Sequence, residues 1–282
     1  MIRWCPALAG LLVIGACAAR MPPRPTGAAT PDPAAAAAFE AATASCRGFR
    51  SIEGELALSG RAGGERVRGR VLTGLEAGGA VRLEAPAPFG APFFILAGKD
   101  ENATLVLPRE RRVLKDTAVA AVLERLIGLT LGADDLRLIV SGCLVDRATP
   151  ADTGPPSRGL CAMGCDGRQF PGGWQAVTLG PERVAYLRTV QGRPTLVAAD
   201  YGRWRVDYSQ HTGGFPRVVR VRSASAKAAA DRAGEIDITA RVEQLEVNTQ
   251  INPRAWSVDV PSDADPMTLD ELRSIAPLAE RK

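Results

Sequence analysis

Alternating apolar and polar side chains dominate the sequence after residue 50, and a period of two is typical of β-strands with one buried face. In residues 51–60, Ile52, Leu56 and Leu58 share one face, opposite glutamates and small side chains. Because similar segments follow one another with short breaks, we expect an antiparallel meander. The further predicted strands are residues 66–72, 80–85, 93–97, 103–107, 111–114, 174–179, 183–190, 195–199, 203–208, 217–222 and 236–247.

Two helices interrupt this meander, because the apolar period there changes to that of an amphipathic helix. The first has Val119, Val122, Leu123, Leu126 and Ile127 on one side, with Thr117 as the expected N-cap. The second is predicted over residues 134–141. A short helix over residues 37–46 precedes the strands, and a Thr268–Glu271 capping box predicts a final helix.

These elements predict an α+β fold. A meander of about eleven strands curls, and one-sided helices need an apolar face to cover. We therefore expect a curved antiparallel sheet that forms an incomplete β-barrel, with short helices over its open mouth. Residues 38–282 would form this single domain.

The N-terminus has the pattern of a secretory signal, with Arg3, an apolar run and small residues before Cys17. Ile14-Gly15-Ala16-Cys17 resembles a bacterial lipobox, which implies removal of residues 1–16 and lipidation of Cys17. An ordinary signal peptide is the alternative. Residues 17–37 are rich in proline and alanine and predict a disordered tether. Ala18 after the anchor favours the outer membrane, with the protein facing the periplasm.

Composition narrows the possible partners. The formal net charge is +4 and the arginines are spread along the strands, so nucleic-acid binding is not expected. We expect a monomer that meets membrane lipid. Cys46, Cys143, Cys161 and Cys165 allow three disulfide pairings, and the sequence does not choose among them.

Motifs for catalysis are missing from the sequence: it has no nucleophile elbow, phosphate loop, zinc-protease motif or dinucleotide fingerprint. His211, in a glycine-containing turn, is expected to be a solvated loop residue. We therefore expect a binding protein rather than an enzyme, with no catalytic residues, metal ligands or cofactor.

A proline-rich segment, residues 84–94, links two predicted strands. Pro88, Phe89 and Gly90 lie at its expected tip. A large apolar side chain on a rigid exposed tip favours contact with lipid or another apolar surface. The alternative is that Phe89 folds back onto the sheet.

The order of these elements resembles the LolB-like outer-membrane lipoproteins of the LolA/LolB lipoprotein-localisation superfamily. Pro88-Phe89-Gly90 is similar to that family's protruding Pro-Leu-Gly loop, which is implicated in membrane insertion. Residues 51–56 resemble its first strand, and residues 126–129 and 135–142 resemble its helical lid. The resemblance implies a protein that receives lipoproteins from a LolA-like periplasmic carrier and inserts them into the outer membrane.

These observations lead to one hypothesis: a lipid-anchored protein that binds the acyl chains of lipoproteins in an apolar cavity. A lipid-anchored hydrolase and a structural docking lipoprotein of the cell envelope are the alternatives. The alternation along the strands and the apolar period of the helices predict which residues line the cavity. These residues are Leu56, Leu58, Val71, Leu83, Ile95, Leu105, Leu107, Val122, Leu126, Leu136, Ile139, Trp204, Val206 and Tyr208.

Overall fold

A single curved sheet forms the body of the protein in the computed structural model, which describes residues 23–146, 165–224, 235–275 and 278. The fifteen strands of the described residues are β1 (Thr30–Pro31), β2 (Ser51–Ala62), β3 (Glu65–Glu76), β4 (Ala80–Ala85), β5 (Phe94–Lys99), β6 (Asn102–Leu107), β7 (Arg112–Ala118), β8 (Gly167–Phe170), β9 (Trp174–Gly180), β10 (Arg183–Val190), β11 (Arg193–Tyr201), β12 (Trp204–Ser209), β13 (Val218–Ser223), β14 (Ile236–Val247) and β15 (Asp265–Pro266). The described residues contain four α-helices, which are α1 (Ala34–Ala42), α2 (Val119–Ile127), α3 (Ala133–Ser141) and α4 (Leu269–Ile275).

The strand order is β1-β8-β9-β10-β11-β12-β13-β14-β2-β3-β4-β5-β6-β7-β15, and it does not close into a ring. Pairs are antiparallel except that β15 lies parallel to β7. The long strands β2 and β14 pair over most of their length and join the two halves of the meander. The predicted incomplete barrel with helices over its concave side is therefore confirmed, with more strands than expected.

Two apolar clusters fill the concave side. The first is formed mainly by β2–β7 with helices α2, α3 and α4. The second is formed by α1 and β9–β14 together with Leu129, Leu131 and Ile139. Phe39 of α1 is fully buried in the second cluster. The sheet therefore encloses two packed regions, and α1 occupies one half of the hollow.

The helix pair α2–α3, called the lid below, forms close to its predicted position. Gly128 ends α2 with a positive φ of 74°. A Cβ there would lie 2.4 Å from Ile236 Cδ1, so both the turn and the packing favour glycine. The expected cap is wrong: Thr117 belongs to β7 and its hydroxyl donates to the Lys115 carbonyl, while Ala118 is the N-cap.

The capping box before α4 is confirmed. The Thr268 backbone N–H donates to Glu271 Oε2 at 2.7 Å, and the Glu271 N–H donates to Thr268 Oγ1 at 3.3 Å. These bonds satisfy backbone groups that the helix itself leaves unpaired. They also hold the Glu271 carboxylate beside Arg112.

The predicted disorder of the tether is wrong for its second half. Thr30 and Pro31 pair with β8, and α1 begins three residues before its predicted start. Arg24 forms an ion pair with Asp200, and its guanidinium lies 5.2 Å from the centre of the Tyr186 ring. The proline-rich composition did not reveal that this segment has a polar surface to pack on.

A disulfide joins Cys46 to Cys143, which selects one of the pairings that the sequence left open. Cys165 is also disulfide-bonded. Strand β8 precedes the strand predicted at residues 174–179 and was not among the predicted strands. The signal peptide, Cys17 and Cys161 lie outside the described residues.

No helix in the described part of the chain has both the length and the apolar composition that crossing a membrane requires.

Candidate functional site

An apolar cavity lies between the lid and the inner face of the sheet. Strands β2, β3, β4, β13 and β14 supply its wall, and the lid covers it. Its lining consists of Leu56, Leu58, Val71, Leu83, Phe94, Leu123, Leu126, Ile127, Leu129, Leu131, Leu136, Ile139, Val140, Val219, Val221, Ile238, Ala240 and Leu278. All of these side chains are apolar, so the cavity can bind hydrocarbon and offers no polar group to a substrate.

The free space within this lining is narrow. The volume open to the centres of water-sized spheres is about 70 Å³. That is room for a few methylene groups, because the lid and Leu278 occupy the rest. The structure is therefore a closed state, and a whole acyl chain needs the covering segments to move.

Half of the predicted lining residues lie where the sequence placed them. The residues that line the cavity as predicted are Leu56, Leu58, Val71, Leu83, Leu126, Leu136 and Ile139. Their positions follow from strand alternation on β2–β4 and from the helical period of the lid.

The other predicted lining residues lie elsewhere, for three reasons. Ile95 pairs with Glu84 on the outer face of the sheet, and its neighbour Phe94 points inward instead. Leu105, Leu107 and Val122 are inward but fully packed in the first cluster. The remaining predicted residues, Trp204, Val206 and Tyr208, are inward and packed in the part of the second cluster that lies outside the cavity lining.

Several lining residues were missed by the sequence analysis. Val219, Val221, Ile238 and Ala240 alternate along β13 and β14, and this alternation was visible. What the sequence lacked was the β14–β2 pairing, which brings these late strands beside Leu58. Leu278 carries no periodic signal that could have placed it there.

Polar contacts fix both ends of α3. The Glu101 carboxylate accepts hydrogen bonds from the N–H groups of Ala133 at 2.6 Å and Asp134 at 3.0 Å, which suits the positive end of a helix. Asp134 in turn accepts from the Gly79 N–H at 3.0 Å. At the other end, Cys143 is tied to Cys46. Helix α3 is therefore the fixed half of the lid.

A buried arginine also fixes the position of α3. Arg137 is fully buried, its Nε lies 3.1 Å from Asp134 Oδ1, and its Nη2 lies 3.0 Å from Asp146 Oδ2. The guanidinium also lies 5.3 Å from the centre of the Phe49 ring. A buried charge with two carboxylate partners favours one position of the helix.

Helix α2 is attached differently. It packs through Val119, Val122, Leu123 and Leu126, and it contacts α4, with Arg125 Nη2 3.3 Å from Asp270 Oδ1. That pair is largely exposed and contributes little to stability. Helix α2 is therefore held mainly by apolar packing, whereas α3 is also held by hydrogen bonds, a buried arginine and the disulfide.

The three tyrosines of the chain are all partly or fully buried, and their pKa values are raised. Burial and the hydrogen bond to Asp200 raise the pKa of Tyr186 to about 12. Burial and the hydrogen bond to Asp135 of the lid raise the pKa of Tyr201. Burial alone is the main cause for Tyr208, whose hydroxyl has no hydrogen-bond partner among the described residues.

Stability should therefore fall in alkali. Tyrosine ionises near pH 10 in the unfolded chain, while the folded protein keeps these phenols neutral, so the stabilisation is complete below pH 10 and is lost above it. For Tyr208, one pH unit above 10 costs about 1.4 kcal/mol. Urea unfolding at increasing pH measures this, and Tyr208→Phe should flatten the slope. Tyrosinate absorbance near pH 10 with an intact fold would contradict it.

The Phe89 tip protrudes from one end of the sheet. Phe89 is 89% exposed, so the alternative that it folds back onto the sheet is wrong. The neighbouring turn supports the loop: Arg109 Nη2 donates to the Phe89 carbonyl at 2.8 Å, and Arg109 Nε donates to the Ala91 carbonyl at 2.9 Å. The same guanidinium lies 4.5 Å from the centre of the Phe93 ring. Arg109 is a positioning residue that the sequence analysis missed.

Replacing Arg109 by glutamine should loosen this loop. Losing two hydrogen bonds from a charged donor at an exposed site should speed amide exchange in residues 86–93 about fivefold to tenfold. Hydrogen exchange followed by mass spectrometry measures the rates. Arg111→Gln is the matched control, because Arg111 lies on the same turn but pairs with Asp263. Equal exchange in the two variants would remove the role given to Arg109.

A second cavity, of about 1070 Å³ by the same measure, lies beside α1 and β10–β12 and includes His211. His211 is partly buried, not solvated as expected, and burial lowers its pKa. The described residues contain no group of three or more histidine, cysteine or acidic side chains placed to hold a metal ion.

Comparisons with known proteins add the following. No protein-family model matches the sequence, and no curated protein matches it. The structure is similar to a LolA superfamily protein, NE2245 from Nitrosomonas europaea, with a TM-score of 0.46 and 10% sequence identity over 79% of this chain and 97% of that chain. It is also similar to MucB, with a TM-score of 0.31 and 14% identity over 82% of this chain and 65% of that chain.

Proposed function

We propose that this protein binds the acyl chains of lipids or lipoproteins in the cavity beneath the lid and delivers them to a membrane. The observation that carries the proposal is the unbroken apolar lining contributed by both the lid and the sheet. Each acyl methylene removed from water contributes about 0.8 kcal/mol, and this gain needs no polar contact.

Loading requires the closed cover to open. We propose that α2, α4 and Leu278 move outward, while α3 stays fixed by Glu101, Arg137 and the disulfide. Opening exposes apolar side chains of the cover, and an acyl chain that enters the cavity covers them again. The exchange can therefore run in either direction with a small net change in free energy.

Delivery would take place at the Phe89 tip. In this proposal the tip enters the bilayer, as the resemblance to the LolB-like family implies, and the cargo passes from a LolA-like carrier to the outer membrane. Lipidation of Cys17 would keep the protein on that membrane. The acyl anchor of the protein and the acyl chains of its cargo would then lie in the same bilayer, beside the cavity.

The rival hydrolase needs polar side chains that converge on the bound acyl group. The lining residues offer none, which favours the binding function. The alternative of a structural docking protein needs no cavity at all, and acyl binding separates it from our proposal.

Native mass spectrometry of protein purified without detergent tests acyl binding. We expect bound lipid, or a complex formed on incubation with an acylated peptide. Ala240→Leu adds three carbons to the inner wall and should reduce occupancy several-fold. Ala57→Leu makes the same change on the outer face of the adjacent strand and is the matched control. Wild-type protein that stays empty after incubation would overturn the proposal.

A further inference from the structure

The sheet collects arginines that are scattered along the sequence. On the outer face, Arg205 pairs with Arg222, Arg222 pairs with Asp237, and Asp237 pairs with Arg61, which pairs with Arg66. Such a line of paired residues across the strands is called a row here. The next row on the same face contains Arg220 and Arg68, and the row after it contains Arg241 and Arg70. The arginine face is the set Arg61, Arg66, Arg68, Arg70, Arg205, Arg220, Arg222 and Arg241.

Charge on this outer face is divided along the strands. The three rows that hold the arginine face contain three carboxylates, those of Asp200, Asp207 and Asp237, against eight arginines. The next positions along β2 and β14 are acidic instead, and they are Glu53, Glu55, Glu243 and Glu246. One end of the outer face is therefore strongly basic and the other is acidic, although the net charge of the whole chain is only +4.

Several of these guanidinium groups are available to a partner. Two others already have partners within the protein: Arg220 donates to Asp237 at 2.7 Å, and Arg222 donates to Asp207 at 2.5 Å. Arg61 donates to the Gly64 carbonyl. Among the described residues, Arg61, Arg68 and Arg205 have no carboxylate within ion-pair distance.

The basic end is also the Phe89 end. Strand β3 begins at this end, at Glu65, and runs away from it. Because β4 is antiparallel to β3, it ends at Ala85 on the side of Arg68 and Arg66, and the loop that follows lies at this end. The β6–β7 turn that carries Arg109 lies at the same end. The most exposed large apolar side chain of the described residues therefore lies at the end where the arginines collect.

We propose that the arginine face binds the phosphate groups of anionic phospholipids and orients the protein on the membrane, with Phe89 toward the acyl layer. Guanidinium groups bind phosphate oxygens in pairs of hydrogen bonds, and an anionic surface attracts a basic end while it repels an acidic one. An apolar tip beside basic side chains is the combination that interfacial membrane binding uses. The inference rests on the proposed membrane contact of Phe89, but it does not depend on what the cavity holds.

Vesicle co-sedimentation of the full chain, made without lipid attachment, tests this surface. The test variant is Arg61→Gln/Arg68→Gln/Arg205→Gln. The control is Arg47→Gln/Arg50→Gln/Arg193→Gln, which removes the same charge from exposed positions at the opposite end of the sheet. Both variants carry the same N-terminal segment, so any binding that it contributes cancels in the comparison.

On phosphatidylglycerol vesicles at low salt, the test variant should bind about a hundredfold more weakly than wild type, since each arginine at an anionic surface contributes about fivefold. The control should stay within a few-fold of wild type. High salt or phosphatidylcholine vesicles should remove the difference between the variants. Equal binding of both variants to anionic vesicles would overturn the inference and would leave an acidic protein as the partner of this face.

Acylated-peptide binding in solution, measured on the same proteins, separates this inference from the proposed function. We expect all three proteins to bind the peptide equally. Absence of peptide binding in all of them would refute the proposed function, while a vesicle difference between the variants would still support the arginine face.

Discussion

Replacing Phe89 with glutamate should reduce the transfer of an acylated peptide into vesicles by about tenfold to a hundredfold. Burying a phenylalanine side chain in an apolar phase contributes about 1.5–3 kcal/mol, and a glutamate contributes nothing there. Phe89 is 89% exposed and makes no contribution to the core, so the fold should be unchanged. Transfer is measured with a fluorescent acylated peptide, and circular dichroism confirms the fold.

Val190→Glu is the matched control for this change. Val190 is another exposed large apolar residue of the described chain, at 45% exposure, and it lies at the other end of the sheet. Its replacement should leave transfer unchanged. If Phe89→Glu transfers peptide at the wild-type rate, the tip does not enter the membrane and the delivery step proposed above is wrong.

Removing the disulfide should produce the largest loss of stability. Cys46 and Cys143 are separated by 97 residues, and cross-linking so distant a pair restricts the unfolded chain strongly. We expect Cys46→Ala/Cys143→Ala to lower the free energy of unfolding by about 4 kcal/mol. Urea unfolding under oxidising conditions measures this value.

The same double variant should release one end of the lid. Cys143 lies two residues after the end of α3, and Cys46 ends the 3-10 helix that precedes β2. Amide exchange in α3 should therefore rise more than exchange in α2. Reductant breaks the bond at Cys165 as well, so the double variant with and without reductant isolates that second contribution. Unchanged exchange in α3 would mean that the disulfide does not hold the lid.

The amino-acid sequence predicted the elements better than it predicted the cavity. Alternation placed Leu56, Leu58 and Leu83 on the inner face correctly, because that face is buried along the whole strand. The same reasoning assigned Trp204 and Tyr208 to the cavity, although they are packed in the second cluster outside the cavity lining. The alternation of residues along a strand shows which face is buried, but only the tertiary structure shows which other element packs against that face.

The arginine face, on the outer side of the sheet, was also not visible from the local sequence pattern. In the sequence, Arg61, Arg205 and Arg222 are far apart and look like ordinary solvated strand positions. Their proximity comes from the pairing of β12, β13, β14 and β2, which the local pattern does not encode. The expectation that the arginines are not gathered into one stripe is therefore wrong. For Phe89, the neighbouring prolines and glycine indicated a rigid tip, but only the structure showed that the side chain is exposed and not folded back onto the sheet.

Photocrosslinking with an acylated peptide that carries a diazirine near the end of its acyl chain tests the central claim most directly. The account predicts adducts on cavity residues of the lid and the inner wall, such as Leu126, Ile139 and Ile238. It also predicts that Ala240→Leu weakens these adducts and that Ala57→Leu does not. Adducts confined to the Phe89 loop or to the outer face of the sheet would contradict it.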